Sequence, residues 1–195
     1  MPSIQHSARG HARRDAIVRA AIETIAERGY RGASLAAVAE KAGLSQQGLL
    51  HYFRSKEDLL IGVLQWRAET DTGGRDIVAE PMSLAATQGV VEANAHREAI
   101  VRTFSALLGE SVTGDHPAAE YFRLRYRRVR EAMTATLRLE WGDRLPSGLT
   151  PEEAAPLVVA IMDGLQFQWL HEPESFDMPA AFRAFVRLLD PKAAP

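Results

Sequence analysis

The chain has 195 residues, 46% of them apolar and 7% aromatic, a composition typical of a globular protein with one or two domains. It contains no cysteine, which excludes disulfide bonds and cysteine metal ligands and is consistent with a reducing cytoplasm. Because no apolar run approaches the roughly 20 residues that cross a bilayer, and the N-terminus lacks an apolar signal-peptide core, we expect a cytoplasmic protein with no membrane partner.

The formal net charge of −2 is unevenly distributed along the chain. Residues 1–66 carry nine Lys or Arg against six Asp or Glu, whereas residues 67–195 carry fourteen against nineteen. Since cationic surfaces attract phosphate, this asymmetry assigns nucleic acid to the first third of the chain and a different partner to the remainder.

The first ten residues show no periodicity, so we predict a disordered arm over residues 1–10, with a basic extension through Arg14 that can reach phosphate. A first helix is predicted over residues 11–28, and Gly29 ends it. Its apolar stripe consists of Ile17, Val18, Ala21, Ile22 and Ile25.

Residues 34–56 read SLAAVAEKAGLSQQGLLHYFRSK and predict two short helices joined by a tight turn. Ser34 can cap the first helix, whose apolar stripe runs from Leu35 to Ala42 at helical spacing. Gly43 then ends the helix, because glycine adopts a positive φ at little cost. Ser45 can cap the second helix.

The second helix is predicted to have a dry side and a reading side. Leu49 and Phe53 point back at the first helix, and the opposite face carries Gln46, Gln47, Leu50, His51 and Arg54. Glutamine can pair with adenine and leucine can lie against a thymine methyl group, so this face is suited to base edges. The alternative is an ordinary solvated face of a surface helix.

Residues 29–60 resemble the DNA-binding domain of the TetR family of transcriptional regulators. The matching positions are Gly29, Tyr30, Gly32, Ser34, Val38, Ala39, Ala42, Gly43, Ser45, His51, Tyr52, Phe53, Lys56, Leu59 and Leu60. The resemblance implies a double-stranded DNA operator as partner. The DNA-binding residues expected from the reading face and this resemblance together are Ser34, Ser45, Gln46, Gln47, Gly48, Leu50, His51, Tyr52 and Lys56. The family commonly has tyrosine at the position of Leu50, so Tyr52 is expected to take more of the backbone contact.

A helix is predicted from Lys56, capped by Ser55, to about residue 71. Lys56 lies where its ammonium can meet a DNA phosphate, the alternative being a solvated lysine. A break follows at residues 72–81, and we divide the chain into a DNA-binding domain, 11–66 with the helix-turn-helix at 34–53, and a larger domain, 67–195.

Further helices are predicted at residues 83–95, 97–112, 117–141, 150–170 and 178–189. No strand-like alternation is present, so the predicted fold is all-α. It consists of a three-helix helix-turn-helix DNA-binding domain joined to a larger helical ligand-binding and dimerisation domain, with about nine helices.

The helix predicted over residues 117–141 carries a cluster of five arginines, Arg123, Arg125, Arg127, Arg128 and Arg130. They allow either a second nucleic-acid site or a solvated helix face, and the flanking Glu120 and Glu131 favour the solvated face.

Large apolar side chains from Trp66 onward allow either an effector cavity or a core. The candidate ligand-binding residues are Trp66, Phe104, Leu107, Phe122, Tyr126, Met133, Met162 and Phe167. The expected partner is a small-molecule effector of unknown identity.

Residues 157–162 are apolar on every side, so a second chain is an economical cover and a homodimer is expected. The candidate interface residues are Leu157, Ile161, Leu165, Phe182, Phe185 and Leu189. The stretch MDGLQFQWL also resembles the dimerising C-terminal region of a TetR subfamily.

Catalytic signals are absent from the sequence: His96, His116 and His171 are isolated, and Glu152 and Glu153 fit a helix N-terminus better than a catalytic pair. We expect no catalytic residue, metal or cofactor. The resemblance implies a ligand-responsive repressor that binds a palindromic operator as a homodimer. An activator or an effector-independent DNA-binding protein of the same fold is the alternative.

Overall fold

The computed structural model describes the backbone of residues 3–190 and the side chains of residues 10–190. This part of the chain is all-α, as predicted, and contains no strand. No helix in it is both long and apolar enough to span a membrane. Its helices are α1 (Ser3–Gly32), α2 (Leu35–Lys41), α3 (Gln46–Leu50), α4 (Lys56–Thr72), α5 (Leu84–Asn94), α6 (Glu98–Ser111), α7 (Ala119–Trp141), α8 (Pro151–His171) and α9 (Met178–Leu189).

The N-terminal arm differs from its prediction. The backbone from Ser3 to Gly10 is helical and continuous with the rest of α1, whereas Met1 and Pro2 lie outside the described residues. Once the apolar stripe around Ile17 has nucleated a helix, adding residues costs much less than starting one, and a single glycine at Gly10 does not stop propagation.

The predicted end of the first helix is confirmed as a kink. Gly29 has φ 68° and ψ 170°, so the backbone leaves the helical conformation there before a final turn ends at Gly32. A side chain at this φ would be strained. The kink places Tyr30 inward, where its side chain is buried.

The chain forms two compact units. The described parts of Met1–Thr70 and Arg102–Ala119 form the N-terminal unit, and those of Asp71–Val101 and Glu120–Pro195 form the C-terminal unit. This corrects the boundary predicted at residue 66, which left the segment after Arg102 in the second domain. An apolar stripe shows that a segment is buried but does not identify what buries it.

Contacts within the N-terminal unit explain why this later segment belongs to it. The buried hydroxyl of Thr103 donates a hydrogen bond to the Ile22 carbonyl at 2.9 Å. The Arg67 guanidinium lies 3.8 Å from the ring centroid of Phe104, a cation–π contact.

The C-terminal unit packs α9 against both α5 and α8. Its core includes Val101, Met133, Leu137, Val158 and Phe182. Helix α8 begins as predicted: the Glu153 amide donates to the Thr150 hydroxyl at 3.3 Å, and the Thr150 amide donates to the Glu153 carboxylate at 2.8 Å. Glu153 therefore forms a capping box.

The arginine cluster of α7 lies at the protein surface as predicted. Arg123 pairs with Glu120 of the same helix, and Arg128 pairs with Asp76 at 2.8 Å. Arg127 and Arg130 are exposed. The pattern is that of a solvated helix face.

Gly62 is the point of closest approach between α4 and the end of the helix-turn-helix. A Cβ atom built at Gly62 would lie 2.5 Å from Cε1 of Phe53, a ring with no exposed surface. The distance is shorter than real side chains tolerate, so Gly62 permits this packing.

We expect Gly62→Ala to lower the free energy of unfolding by about 1–3 kcal/mol, because the added methyl group must displace a buried ring. The matched control is Gly89→Ala in α5, where the added Cβ meets nothing within 4 Å. In that variant the free energy of unfolding should rise by about 0.5–1 kcal/mol, because alanine has a higher helix propensity than glycine. Urea unfolding followed by circular dichroism measures both changes, and equal stability of the two variants would contradict the packing argument.

Candidate nucleic-acid interface

Helices α2 and α3 are held by the serine caps that the sequence predicts. The Ser34 hydroxyl accepts a hydrogen bond from the Ala37 amide at 3.1 Å, and the Ser45 hydroxyl accepts one from the Gly48 amide at 3.1 Å. Between them Gly43 has φ 65°, which confirms its role in the turn. The two hydroxyls thus hold the start of each helix.

The dry side of α3 is confirmed. Leu49 and Phe53 have no exposed surface, and Val38 of α2 is 2% exposed. Helix α3 ends at Leu50, and the Tyr52 and Phe53 amides both donate to the Leu49 carbonyl, at 2.9 and 3.1 Å. Phe53 is therefore seated by one further turn rather than by a longer helix.

The opposite side of α3 is exposed. We define the reading face as Gln46, Gln47, Leu50 and His51, of which Leu50 is half-buried and the other three are exposed. Tyr52, beside this face, is 37% exposed. The structure therefore brings together on one surface the amide, imidazole and apolar groups that the sequence proposed for base contacts.

Gly48, also among the predicted DNA-binding residues, lies on the side of α3 that faces the turn. A Cβ atom there would lie 3.3 Å from the Ser45 hydroxyl and 3.7 Å from Cδ2 of Leu44, so Gly48 faces the turn. A side chain at this position would crowd the cap.

Lys56 is the first residue of α4, and its ammonium group is held by two neighbours. Its Nζ donates a hydrogen bond to the Arg31 carbonyl at 3.2 Å and lies 4.4 Å from the ring centroid of Tyr30. Partial burial lowers the pKa of Lys56 from its usual value, and the charges of Glu57 and Glu110 oppose that shift. The sequence indicates a lysine at this position but not the carbonyl and the ring that hold its ammonium group.

The start of α4 is capped as predicted. The Asp58 amide donates to the Ser55 hydroxyl at 3.0 Å, and the Asp58 carboxylate accepts from the Arg54 amide at 2.8 Å. The backbone leading into Lys56 is thus fixed by two hydrogen bonds.

Three residues of this unit were missed as site residues. The rings of Tyr30 and His116 meet edge to face, with centroids 5.1 Å apart, and His116 Nε2 lies 3.8 Å from the Glu110 carboxylate. Burial lowers the pKa of His116, against the pull of Glu110. Burial also raises the pKa of Tyr30 to about 12, which keeps the phenol neutral. Only Tyr30 carried a sequence signal, as part of the TetR resemblance.

Arg14, assigned to phosphate contact in the sequence, has an additional contact. Its guanidinium lies 4.8 Å from the ring centroid of Phe53 and the side chain is half-buried. Its aliphatic stem and charge therefore help to cover the buried ring.

The structure distributes the candidate ligand-binding residues over both units. Trp66, Phe104 and Leu107 belong to the N-terminal unit, and the last two are buried in its core. The candidate residues of the C-terminal unit differ in exposure. Phe122 and Met133 are buried, Tyr126 and Met162 are half-buried, and Phe167 is exposed. Phe104 and Leu107 of α6 thus contribute to the core around α1, and their role in binding an effector stays a prediction.

Tyr126 has the most distinctive environment of this set. Its hydroxyl donates a 2.5 Å hydrogen bond to the Asp163 carboxylate, and its ring packs on the core of the C-terminal unit. Burial, together with this bond, raises the pKa of Tyr126 above its usual value. A polar pair beside apolar side chains is the type of group that orients a ligand.

The candidate dimer-interface residues also differ in burial. Leu165, Phe182 and Leu189 belong to the chain's own core, which corrects their assignment to a partner surface. Leu157 is 48% exposed, and Ile161 and Phe185 are half-buried. One side of α8 is thus already covered within the chain, since α9 packs against it.

Comparison with known proteins is consistent with this architecture. Residues 17–63 match the family model described as bacterial regulatory proteins, tetR family, and residues 81–190 match that of the BetI-type transcriptional repressor, C-terminal. The transcriptional regulator BetI of Paraburkholderia phytofirmans is 30% identical, with 91% of this chain and 92% of BetI covered.

Two solved structures share the fold. FadR of Bacillus subtilis in complex with stearoyl-CoA superposes with a TM-score of 0.70 at 17% identity, covering 90% of this chain and 97% of FadR. SmeT in complex with triclosan gives a TM-score of 0.72 at 18% identity, covering 90% of each chain. With its N-terminal and C-terminal regions both matched, the chain belongs to the TetR family of transcriptional regulators.

Proposed function

We propose that this regulator is a ligand-responsive repressor that binds a palindromic operator as a homodimer. The observation that carries the proposal is the juxtaposition of the exposed reading face with a cation at the start of the next helix, Lys56. Amides can read base edges while an ammonium neutralises a phosphate, so the surface combines the two kinds of contact that specific DNA binding needs.

The proposed DNA contacts are Gln46, Gln47, Leu50 and His51 at base edges, and Tyr52 and Lys56 at the backbone. Ser34 and Ser45 contribute by fixing the helix starts, and Gly48 by leaving the Ser45 cap uncrowded. A DNA-binding helix that lies in the major groove presents a face of this size to three or four base pairs.

Dimerisation is proposed through the uncovered side of α8. Leu157 and Phe167 are exposed there, at 48% and 41%, with exposed Ala160 and half-buried Ile161 and Gly164 between them at helical spacing. A Cβ atom at Gly164 would meet nothing within 4 Å in this chain, so its small size is not required by internal packing. Small residues permit the close approach of a second helix.

Repression relieved by an effector is proposed because the C-terminal region matches a repressor model and two proteins of this fold bind small molecules. A ligand that binds more tightly to conformations with the wrong spacing of reading heads shifts the population away from DNA. The Tyr126–Asp163 pair is the proposed polar anchor of the effector site, with Met162 nearby in the chain. An activator of the same fold would instead gain DNA affinity with ligand.

Selection of bound sequences from random DNA tests the DNA-binding proposal directly. The selected sites should contain two inverted half-sites about one helical turn, roughly 34 Å, or a multiple of it apart. Unsymmetrical or unenriched sequences would contradict the palindromic operator.

On the selected operator, Gln47→Ala should cost about 1–3 kcal/mol, with little effect on random duplex, because a base contact discriminates between sequences. Lys56→Ala should weaken both duplexes and reduce the salt slope by about one, because it removes one phosphate contact. Fluorescence anisotropy across a salt series measures both effects.

Each variant has a matched control. Gln65→Ala removes an exposed glutamine of α4 outside the reading face and should leave specificity unchanged. Lys41→Ala removes a lysine already paired with Glu27 at 2.7 Å and Glu23 at 3.2 Å, so it should change the slope less than Lys56→Ala. If Gln47→Ala lost affinity equally on both duplexes, Gln47 would not be a base reader.

Leu157→Arg should convert the dimer to a folded monomer, because a charge buried without a partner in an apolar interface costs several kcal/mol. Sedimentation velocity gives the oligomeric state, and circular dichroism checks that the helix content is retained. Leu139→Arg on α7, where the leucine is 75% exposed, is the control and should stay dimeric. A dimeric Leu157→Arg variant would place the interface elsewhere.

An effector should raise the melting temperature and weaken operator binding, and operator DNA should weaken effector binding by the same factor, typically about 5- to 150-fold. Stearoyl-CoA, triclosan and a panel of amphipathic compounds are the first candidates to test. Tyr126→Phe retains the ring but loses the hydrogen bond to Asp163. It should alter the ligand response and preserve ligand-free DNA affinity. Independent binding of ligand and operator would refute gating.

A further inference from the structure

The ammonium group of Lys56 is held by two contacts, unlike that of a freely solvated surface lysine. Its ammonium donates to the Arg31 carbonyl at 3.2 Å and lies 4.4 Å from the centre of the Tyr30 ring. An ammonium group has three N–H donors, and these two contacts engage two of its directions. Lys56 is only half-buried, so part of its surface remains accessible to an anion.

We propose that Tyr30 is a positioning residue for DNA binding, holding the Lys56 ammonium in place for a phosphate without touching DNA itself. This inference rests on the proposed phosphate contact of Lys56. The side chain of Tyr30 is 7% exposed, so it is too deeply buried to reach a duplex. Its face is nevertheless the surface on which the cation lies.

The physical reason is preorganisation. A lysine side chain has a flexible four-carbon stem and loses much rotamer freedom when it binds a phosphate. If the ring face and the Arg31 carbonyl already confine the ammonium, less freedom is lost on binding and affinity rises. The attraction of a cation to an aromatic face does not require the phenol hydroxyl, so phenylalanine should serve as well as tyrosine.

The ring of Tyr30 is itself supported from a distant part of the chain. His116 meets it edge to face with ring centroids 5.1 Å apart and planes at 66°. The Ala118 amide donates to His116 Nδ1 at 3.2 Å, which fixes the orientation of the imidazole. Nε2 then carries the proton of the neutral ring and lies 3.8 Å from the Glu110 carboxylate, beyond hydrogen-bond distance. The Tyr30 ring therefore contacts Lys56 on its face and His116 edge to face, all within the N-terminal unit.

The experiment measures binding of the full-length protein to a fluorescein-labelled duplex of random sequence by anisotropy, across a salt series. Random sequence isolates the phosphate contact from base reading. Four proteins are compared with wild type: Tyr30→Phe, Tyr30→Leu, Lys56→Ala and the double variant Tyr30→Leu with Lys56→Ala. Leucine keeps an apolar group in the site but removes the ring face.

Tyr30→Leu should weaken binding by about two- to five-fold, as the loss of a partly exposed cation–π contact implies, and Tyr30→Phe should match wild type. Lys56→Ala should lower the salt slope by about one. In the Lys56→Ala background, Tyr30→Leu should have no further effect on affinity. Equal losses in both backgrounds would show a merely structural role for Tyr30 and overturn the inference, as would an unweakened Tyr30→Leu variant.

A second measurement does not depend on the folding of Tyr30→Leu. In the NMR spectrum of the wild-type protein, assigned by comparison with Lys56→Ala, the ε-methylene protons of Lys56 should resonate upfield of other lysines because the Tyr30 ring current shields them. An ordinary chemical shift would overturn the placement of the Lys56 ammonium over the Tyr30 ring. If Lys56→Ala itself left the affinity and salt slope unchanged, the proposed phosphate contact would fail, and this inference with it. If Lys56→Ala weakened binding but Tyr30→Leu had the same effect with and without Lys56, only this inference would fail. The proposed phosphate contact would then stand.

Discussion

The burial of Leu49 and Phe53 determines how the reading face is presented. Full burial of two such side chains contributes about 3–6 kcal/mol, compared with about 1 kcal/mol for each serine cap. Because successive helical residues are about 100° apart, Gln47 and His51, two positions on either side of Leu49, turn to the opposite surface. Gly62 allows the Phe53 ring to sit close to α4, so a residue with no side chain supports the packing beneath the reading face.

The N-terminal unit is assembled from two separate parts of the chain. Residues 102–119 return to it after the chain has contributed residues 71–101 to the other unit, so α4 and α6 are both continuous between the units. Thr103 and His116 are therefore integral to the packing around α1 and Tyr30. The proposed gating requires a change in the C-terminal unit to alter this packing, and α4 and α6 are helices that run from one unit into the other.

Interactions between residues close together in the chain were predictable from the sequence, and contacts between distant residues were not. Caps and turns at Ser34, Gly43 and Ser45 were predictable because donor and acceptor lie within four residues of each other. The partners of apolar stripes were not, since Phe104 and Phe182 are equally apolar whether they face a ligand, a second chain or their own core. The contact between Lys56 and Tyr30 was unpredictable for a related reason. The contact depends on the non-helical backbone at Gly29, which changes the direction of the chain before Tyr30. The spacing of apolar residues in the sequence does not reveal that change.

The modest positive charge of the first 66 residues makes the proposed dimer important for affinity. A reading head whose nine Lys or Arg are opposed by six Asp or Glu is expected to make a small number of phosphate contacts, and each contributes only about one to the salt slope. When two heads are joined, binding of the second becomes intramolecular, and the combined affinity can exceed either alone by about 10²- to 10⁴-fold without any new contact. That gain disappears if the heads cannot engage both half-sites together. For the proposed dimer, the same arithmetic implies easy release by an effector. An effector that altered the spacing of the two heads would remove the intramolecular gain without blocking any single DNA contact.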